Sequence, residues 1–214
     1  MDNNRSIIKQ IPNWLTFIRI LLIPVFVFFM ANPLGMDLRV ATNWALVVFV
    51  VAAVTDYIDG IIARRVGAVS SLGKLIDPLA DKILVMSALV MLVSRRSELS
   101  GDPWIPGWLV VIALAREFWV TGLRAVAAGK AEIISASSAG KIKSALQMIA
   151  ILFLLLHDYR VPLGSKEIPC YVIGINVFIV SLAYSLWGAG EYTLMVFGRK
   201  DSAGEDMRES AANN

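Results

Sequence analysis

Six apolar stretches, at about 14–31, 41–63, 74–94, 106–128, 138–157 and 168–197, recur along this chain. Each approaches or exceeds the ~20 residues that a helix needs to cross the hydrocarbon of a bilayer. The expected fold is therefore an all-α integral membrane bundle of about six transmembrane helices. Composition agrees: 57% of the 214 residues are hydrophobic, 17% are charged, and mean hydropathy is +0.67. A soluble domain sits nearer half apolar and a quarter charged. Six spans with short loops use up the length, so one membrane domain is expected over 1–198. The remainder, 199–214, is polar without an apolar face and is expected to be a disordered cytoplasmic tail. The opening "MDNNRSIIKQIPNW" intermixes apolar and basic residues, the pattern of a short amphipathic helix on the membrane surface.

Basic residues orient the bundle. Twelve of the 20 lysines and arginines, among them Arg64, Arg65, Lys74, Arg124, Lys130, Lys141 and Lys143, fall on the side that carries both termini. Five fall on the other side, and Arg19, Lys82 and Arg116 lie within spans. The positive-inside rule then places both termini, and the connection after the second span, in the cytoplasm of a cell with this inner membrane. The net charge of +3 is mild and calls for no nucleic-acid partner. The single cysteine, Cys170, excludes an intrachain disulfide. His157 lies near the far end of the fifth span and reads as an interfacial residue, not a ligand.

Four aspartates stand where a greasy chain should be entering or leaving the membrane. Asp56 and Asp59 are three apart, and Asp77 and Asp81 four apart, in "DYIDGIIARR" and "GKLIDPLADK". Both spacings put carboxylates on one helix face. Gly60 and Ala63 share the face of the first pair and add almost no bulk; Gly73 shares that of the second. Like charges so close, near low dielectric, raise one another's pKa. A divalent cation relieves both problems. Carboxylates without His or Cys suit Mg²⁺, Mn²⁺ or Ca²⁺ rather than Zn²⁺. Four acids suffice for two ions, an arrangement suited to phosphoryl chemistry. Acids inside a membrane domain mark function.

These residues follow the pattern D-x2-D-G-x2-A-R-x8-G-x3-D-x3-D, with every fixed position present from Asp56 to Asp81. The chain thus resembles the CDP-alcohol phosphatidyltransferases. The resemblance implies a six-helix membrane fold, a homodimer, and metal-dependent transfer of a phosphatidyl group from a CDP-lipid to an alcohol. Carried over by position, Asp56, Asp59, Asp77 and Asp81 form the metal site, with Mg²⁺ or Mn²⁺ and two ions expected. Asp81 is also the catalytic base on the acceptor hydroxyl. Gly60, Ala63, Arg64 and Gly73 bind the CDP-lipid: small residues for the nucleotide, and the guanidinium for the diphosphate.

The signature fixes the donor and leaves the acceptor open. "NWLTFIRILLIP", "AREFWVTGLR" and "AGKIKSALQ" are similar to those members of the family whose acceptor is sn-glycerol 3-phosphate. Arg116 and Arg124, two turns apart, share a helix face. Lys141 and Lys143 open the next helix. Cations so clustered bind phosphate, so Arg116, Arg124, Lys141 and Lys143 are the expected acceptor phosphate site. Glu117 is expected to neutralise charge elsewhere in the bundle, because sequence neighbours do not face one another on a helix. The expected reaction joins CDP-diacylglycerol to sn-glycerol 3-phosphate, giving phosphatidylglycerophosphate and CMP. The rivals are the same chemistry on inositol phosphate, a divalent-cation transporter, and a helical membrane prenyltransferase. Against transport, the acids sit near the cytoplasmic ends of their spans, where Arg64 would repel a passing cation.

Overall fold

The computed structural model describes residues 2–66, 71–97, 101–129, 138–164 and 166–212. Among them are six helices: α1 (Asp2–Ala31), α2 (Leu38–Val66), α3 (Ser71–Ser94), α4 (Gly107–Gly129), α5 (Ser138–Leu155) and α6 (Cys170–Ala212). Each expected apolar stretch is helical over most of its length. Among the described residues two segments are long and apolar enough to cross a membrane, Leu38–Asp56 and Cys170–Phe197, and the first ends on the first motif aspartate. Large apolar side chains lie exposed along the helices, Leu194 at 76% and Trp187 at 71%. A surface of this kind calls for an apolar solvent, as a bilayer provides.

Three elements differ from expectation. The N-terminal stretch is not a separate surface helix but the first turns of α1, continuous to Ala31. The segment expected to be a disordered tail continues α6 as helix through Ala212. A helix already nucleated extends cheaply through formers such as Ala203, Glu205, Met207 and Arg208 when no proline intervenes. The connection before α6, read as a loop in an all-α fold, is an antiparallel hairpin of β1 (Arg160–Leu163) and β2 (Lys166–Pro169). Leu163 pairs with Lys166, and Gly164, at φ 63°, supplies the left-handed turn conformation. Pro162 is tolerated because a two-stranded sheet has only edges.

The chain divides into two compact units. One runs to Gly107 and adds Met148–Ile175; the other comprises Trp108–Gln147 and the chain from Asn176 onward. In the first, α1 packs against both α2 and α3. Ala41, Ala45 and Ala52 on α2 are fully buried, which lets backbones approach. Phe26 and Phe49 are buried as well, their ring centroids 5.9 Å apart. Asp37 caps α2, its Oδ1 accepting from Arg39 N at 2.9 Å and Val40 N at 3.2 Å. At the same end of α3, the Arg95 guanidinium donates to the Phe29 carbonyl. His157 is stacked between Trp104, at 4.4 Å between centroids, and Tyr171, at 5.0 Å. Gly174 brings α6 onto α5: a Cβ there would stand 2.8 Å from Leu154 Cγ.

Candidate functional site

The signature occupies the end of α2 and the start of α3. Helical backbone runs through Asp56, Asp59, Gly60, Ala63 and Arg64 on α2, and through Gly73, Asp77 and Asp81 on α3. Both helices pack against α1. The side chains of Asp59, Arg64, Asp77 and Asp81, and the surroundings of Gly60, Ala63 and Gly73, lie outside the described residues. So do Lys130 and the Lys141 side chain. Among the described residues no three or more His, Cys, Asp or Glu stand together as a metal cluster.

Asp56 is described, and its partner was not foreseen. Arg19, on α1, is completely buried and reaches Asp56 Oδ1 at 2.8 Å. An arginine within an apolar span needs a carboxylate, because an unpaired buried guanidinium is costly. That signal was available: Arg19 is one of three basic residues inside the expected spans. Nothing in the sequence, however, says which acid meets it. The side chain of Asp56 remains about a third exposed, at 35%. The pair thus fixes one oxygen of a carboxylate that still opens outward.

In the other unit, α4 and the first half of α5 build a second polar centre with α6. Arg116 Nε donates to the Ser185 carbonyl at 2.7 Å, and its terminal NH1 reaches Glu117 Oε2 at 3.2 Å. The Lys143 ammonium forms a short ion pair with the same oxygen. The Arg116, Glu117 and Lys143 side chains are 10%, 19% and 12% exposed. Glu117 therefore meets Lys143 of α5, a partner the sequence does not name, and also its own neighbour Arg116, which the length of arginine permits despite the adjacency. Beside this centre lies a small cavity with Lys143, Gln147, Ser181 and Ser185 on its wall. The Ser181 hydroxyl donates to the Lys143 carbonyl at 3.1 Å.

Arg116 and Arg124 do share a face, since both look to α6. Arg124, however, lies over the Tyr192 ring at 5.8 Å, seven residues beyond the Ser185 carbonyl that takes Arg116. Of the four expected phosphate ligands, the structure brings Arg116 and Lys143 together and gives Arg124 an aromatic partner. Two cations that converge on one carboxylate oxygen can also bind a phosphate oxygen, which offers the same charge and acceptor geometry.

The model of the family described as CDP-alcohol phosphatidyltransferase matches residues 9–187. A protein of Bacillus subtilis (strain 168) is 39% identical over 177 residues, which are 79% of this chain and 88% of that one. A Rickettsia bellii protein is 38% identical, covering 87% of this chain and 91% of its own. One from Shigella flexneri is 33% identical, covering 86% and 92%. All three are named CDP-diacylglycerol–glycerol-3-phosphate 3-phosphatidyltransferase.

Proposed function

The chain belongs to the CDP-alcohol phosphatidyltransferases, and we propose that it transfers the phosphatidyl group of CDP-diacylglycerol to sn-glycerol 3-phosphate. The products are phosphatidylglycerophosphate and CMP. The observation that carries this reading is the name shared by relatives 38–40% identical over most of the chain. The paired Arg116 and Lys143 support a phosphate-bearing acceptor.

The donor set of Asp56, Asp59, Asp77 and Asp81 is oxygen only, which fits Mg²⁺ or Mn²⁺; these four residues would hold two such ions. When bound, the metal offsets charge on the diphosphate oxygens. Gly60 and Ala63 leave clearance for the nucleotide, Gly73 permits close approach, and Arg64 contacts the diphosphate. Arg116, Lys143, Lys141 and Arg124 bind the acceptor's phosphate. Asp81 takes the proton from the acceptor hydroxyl, whose oxygen attacks the β-phosphorus of the CDP-lipid. The bond from that phosphorus to the bridging oxygen breaks, and CMP leaves. The fixed positions of the signature hold no Ser, Cys or His, which favours direct displacement over a covalent phosphatidyl-enzyme. The chain is proposed to cross the inner membrane six times as a homodimer, with the aspartates and both termini cytoplasmic.

An acceptor panel tests the reading. Purified protein is incubated with CDP-diacylglycerol, Mg²⁺ and labelled sn-glycerol 3-phosphate, inositol phosphate, serine or free inositol. Label is expected in lipid with sn-glycerol 3-phosphate alone. Equal or better incorporation of inositol phosphate would overturn the acceptor assignment.

A further inference from the structure

We infer that Glu117 is a positioning residue for the acceptor: its carboxylate holds the Arg116 guanidinium and the Lys143 ammonium together so that both meet one phosphate. The inference rests on the reading that Arg116 and Lys143 bind the acceptor. Both cations end on the same oxygen, Glu117 Oε2, though they come from different helices, α4 and α5. Both side chains are almost wholly withdrawn from solvent. Two like charges so placed repel strongly at low effective dielectric. Each would move toward water or another acceptor if nothing stood between them. Glu117 offsets that repulsion by standing between the two cations.

The arrangement also leaves donors for that anion. A guanidinium has five N–H groups, and Arg116 uses one on the Ser185 carbonyl and one on Glu117. The bond to Ser185 fixes the root of the guanidinium on α6, and the bond to Glu117 turns its tip toward Lys143. Lys143 is restrained at its own backbone by the Ser181 hydroxyl. Glu117 thus ties the ends of the two cations to each other. It need not touch the acceptor to set its affinity.

The test measures kcat and KM for both substrates, with melting temperature, on purified full-length protein in mixed micelles. The variants are Glu117→Gln, Glu117→Asp, Lys143→Ala, and the double variant Glu117→Gln/Lys143→Ala. Glu117→Gln is expected to raise the sn-glycerol 3-phosphate KM by about tenfold, with kcat and the CDP-diacylglycerol KM within about threefold. Glu117→Asp keeps the charge and should recover part of the loss. It also carries the test, through its own smaller rise in acceptor KM, if the glutamine variant does not fold. The double variant should be no worse for the acceptor than Lys143→Ala alone, because no second cation remains to be held. An acceptor KM that stays level or falls in both Glu117 variants overturns the inference, as does an equal loss for both substrates that tracks melting temperature. If Lys143→Ala itself leaves the acceptor KM at the wild-type value, the reading beneath the inference fails instead.

Discussion

The two polar centres of this molecule have opposite charge balances. Around the signature, four aspartates stand on α2 and α3, and the described cation paired with one of them is the buried Arg19. Around Glu117, two cations share one acid. Both centres sit in apolar helices, where unbalanced charge is expensive. A surplus of acid there is stable once a cation is bound, and a surplus of base once an anion is bound. That difference is what the proposed function requires of them: a divalent cation with its diphosphate on one, a phosphate on the other.

The largest expected effect strikes the acidic side. Asp59→Asn or Asp77→Asn removes a charged oxygen ligand with little change in size. Each should lower CMP release by at least about a hundredfold while the melting temperature without metal stays close to wild type. Turnover near wild type in both would break the comparison at its acidic end. Next comes the basic side. Arg116→Ala should lower kcat/KM for sn-glycerol 3-phosphate by about tenfold to a hundredfold, the value of a lost charged hydrogen bond. Binding of CDP-diacylglycerol without acceptor should hardly change. A loss confined to the lipid substrate would assign this cluster to headgroups instead.

A smaller effect sharpens the contrast. Arg19→Met strands Asp56, which is only partly exposed, and should cost about 1 to 3 kcal/mol of stability. The double variant Arg19→Met/Asp56→Asn should regain most of the melting temperature, since the acid no longer needs a partner. If the single and double variants melt alike, the pair contributes little and the acidic centre is held by other contacts. The smallest effect on activity belongs to Gly174→Ala. Its Cβ would meet Leu154 Cγ at 2.8 Å and Leu154 N at 3.0 Å, so stability should fall by about 1 to 3 kcal/mol. Both KM values should hold, because neither centre is touched.

Much of this was legible in the sequence, for identifiable reasons. Apolar runs of membrane length gave six helices, because periodicity and length are local properties. The aspartate pattern gave the family, because each fixed position there is a chemical demand. What escaped needed partners distant along the chain. Arg19 announced a need for a carboxylate and could not name Asp56. Glu117 was recognised as a neutralising acid, yet its convergence with both Arg116 and Lys143 depends on how α4 and α5 meet. The hairpin at 160–169 was hidden because Pro162, Gly164 and Pro169 read as helix breakers, which they are, and a tight strand pair uses the same residues. The helical run to Ala212 has no amphipathic signature, because continuation of an existing helix requires only tolerable propensity.

One measurement tests the division of labour most directly: KM for sn-glycerol 3-phosphate and for CDP-diacylglycerol, on matched preparations of wild type, Arg64→Ala and Lys143→Ala. The account predicts opposite splits. Arg64→Ala should raise the CDP-diacylglycerol KM and leave the acceptor's alone, and Lys143→Ala should do the reverse. If both variants raise both values together, the two centres do not serve separate ligands, and the account is contradicted.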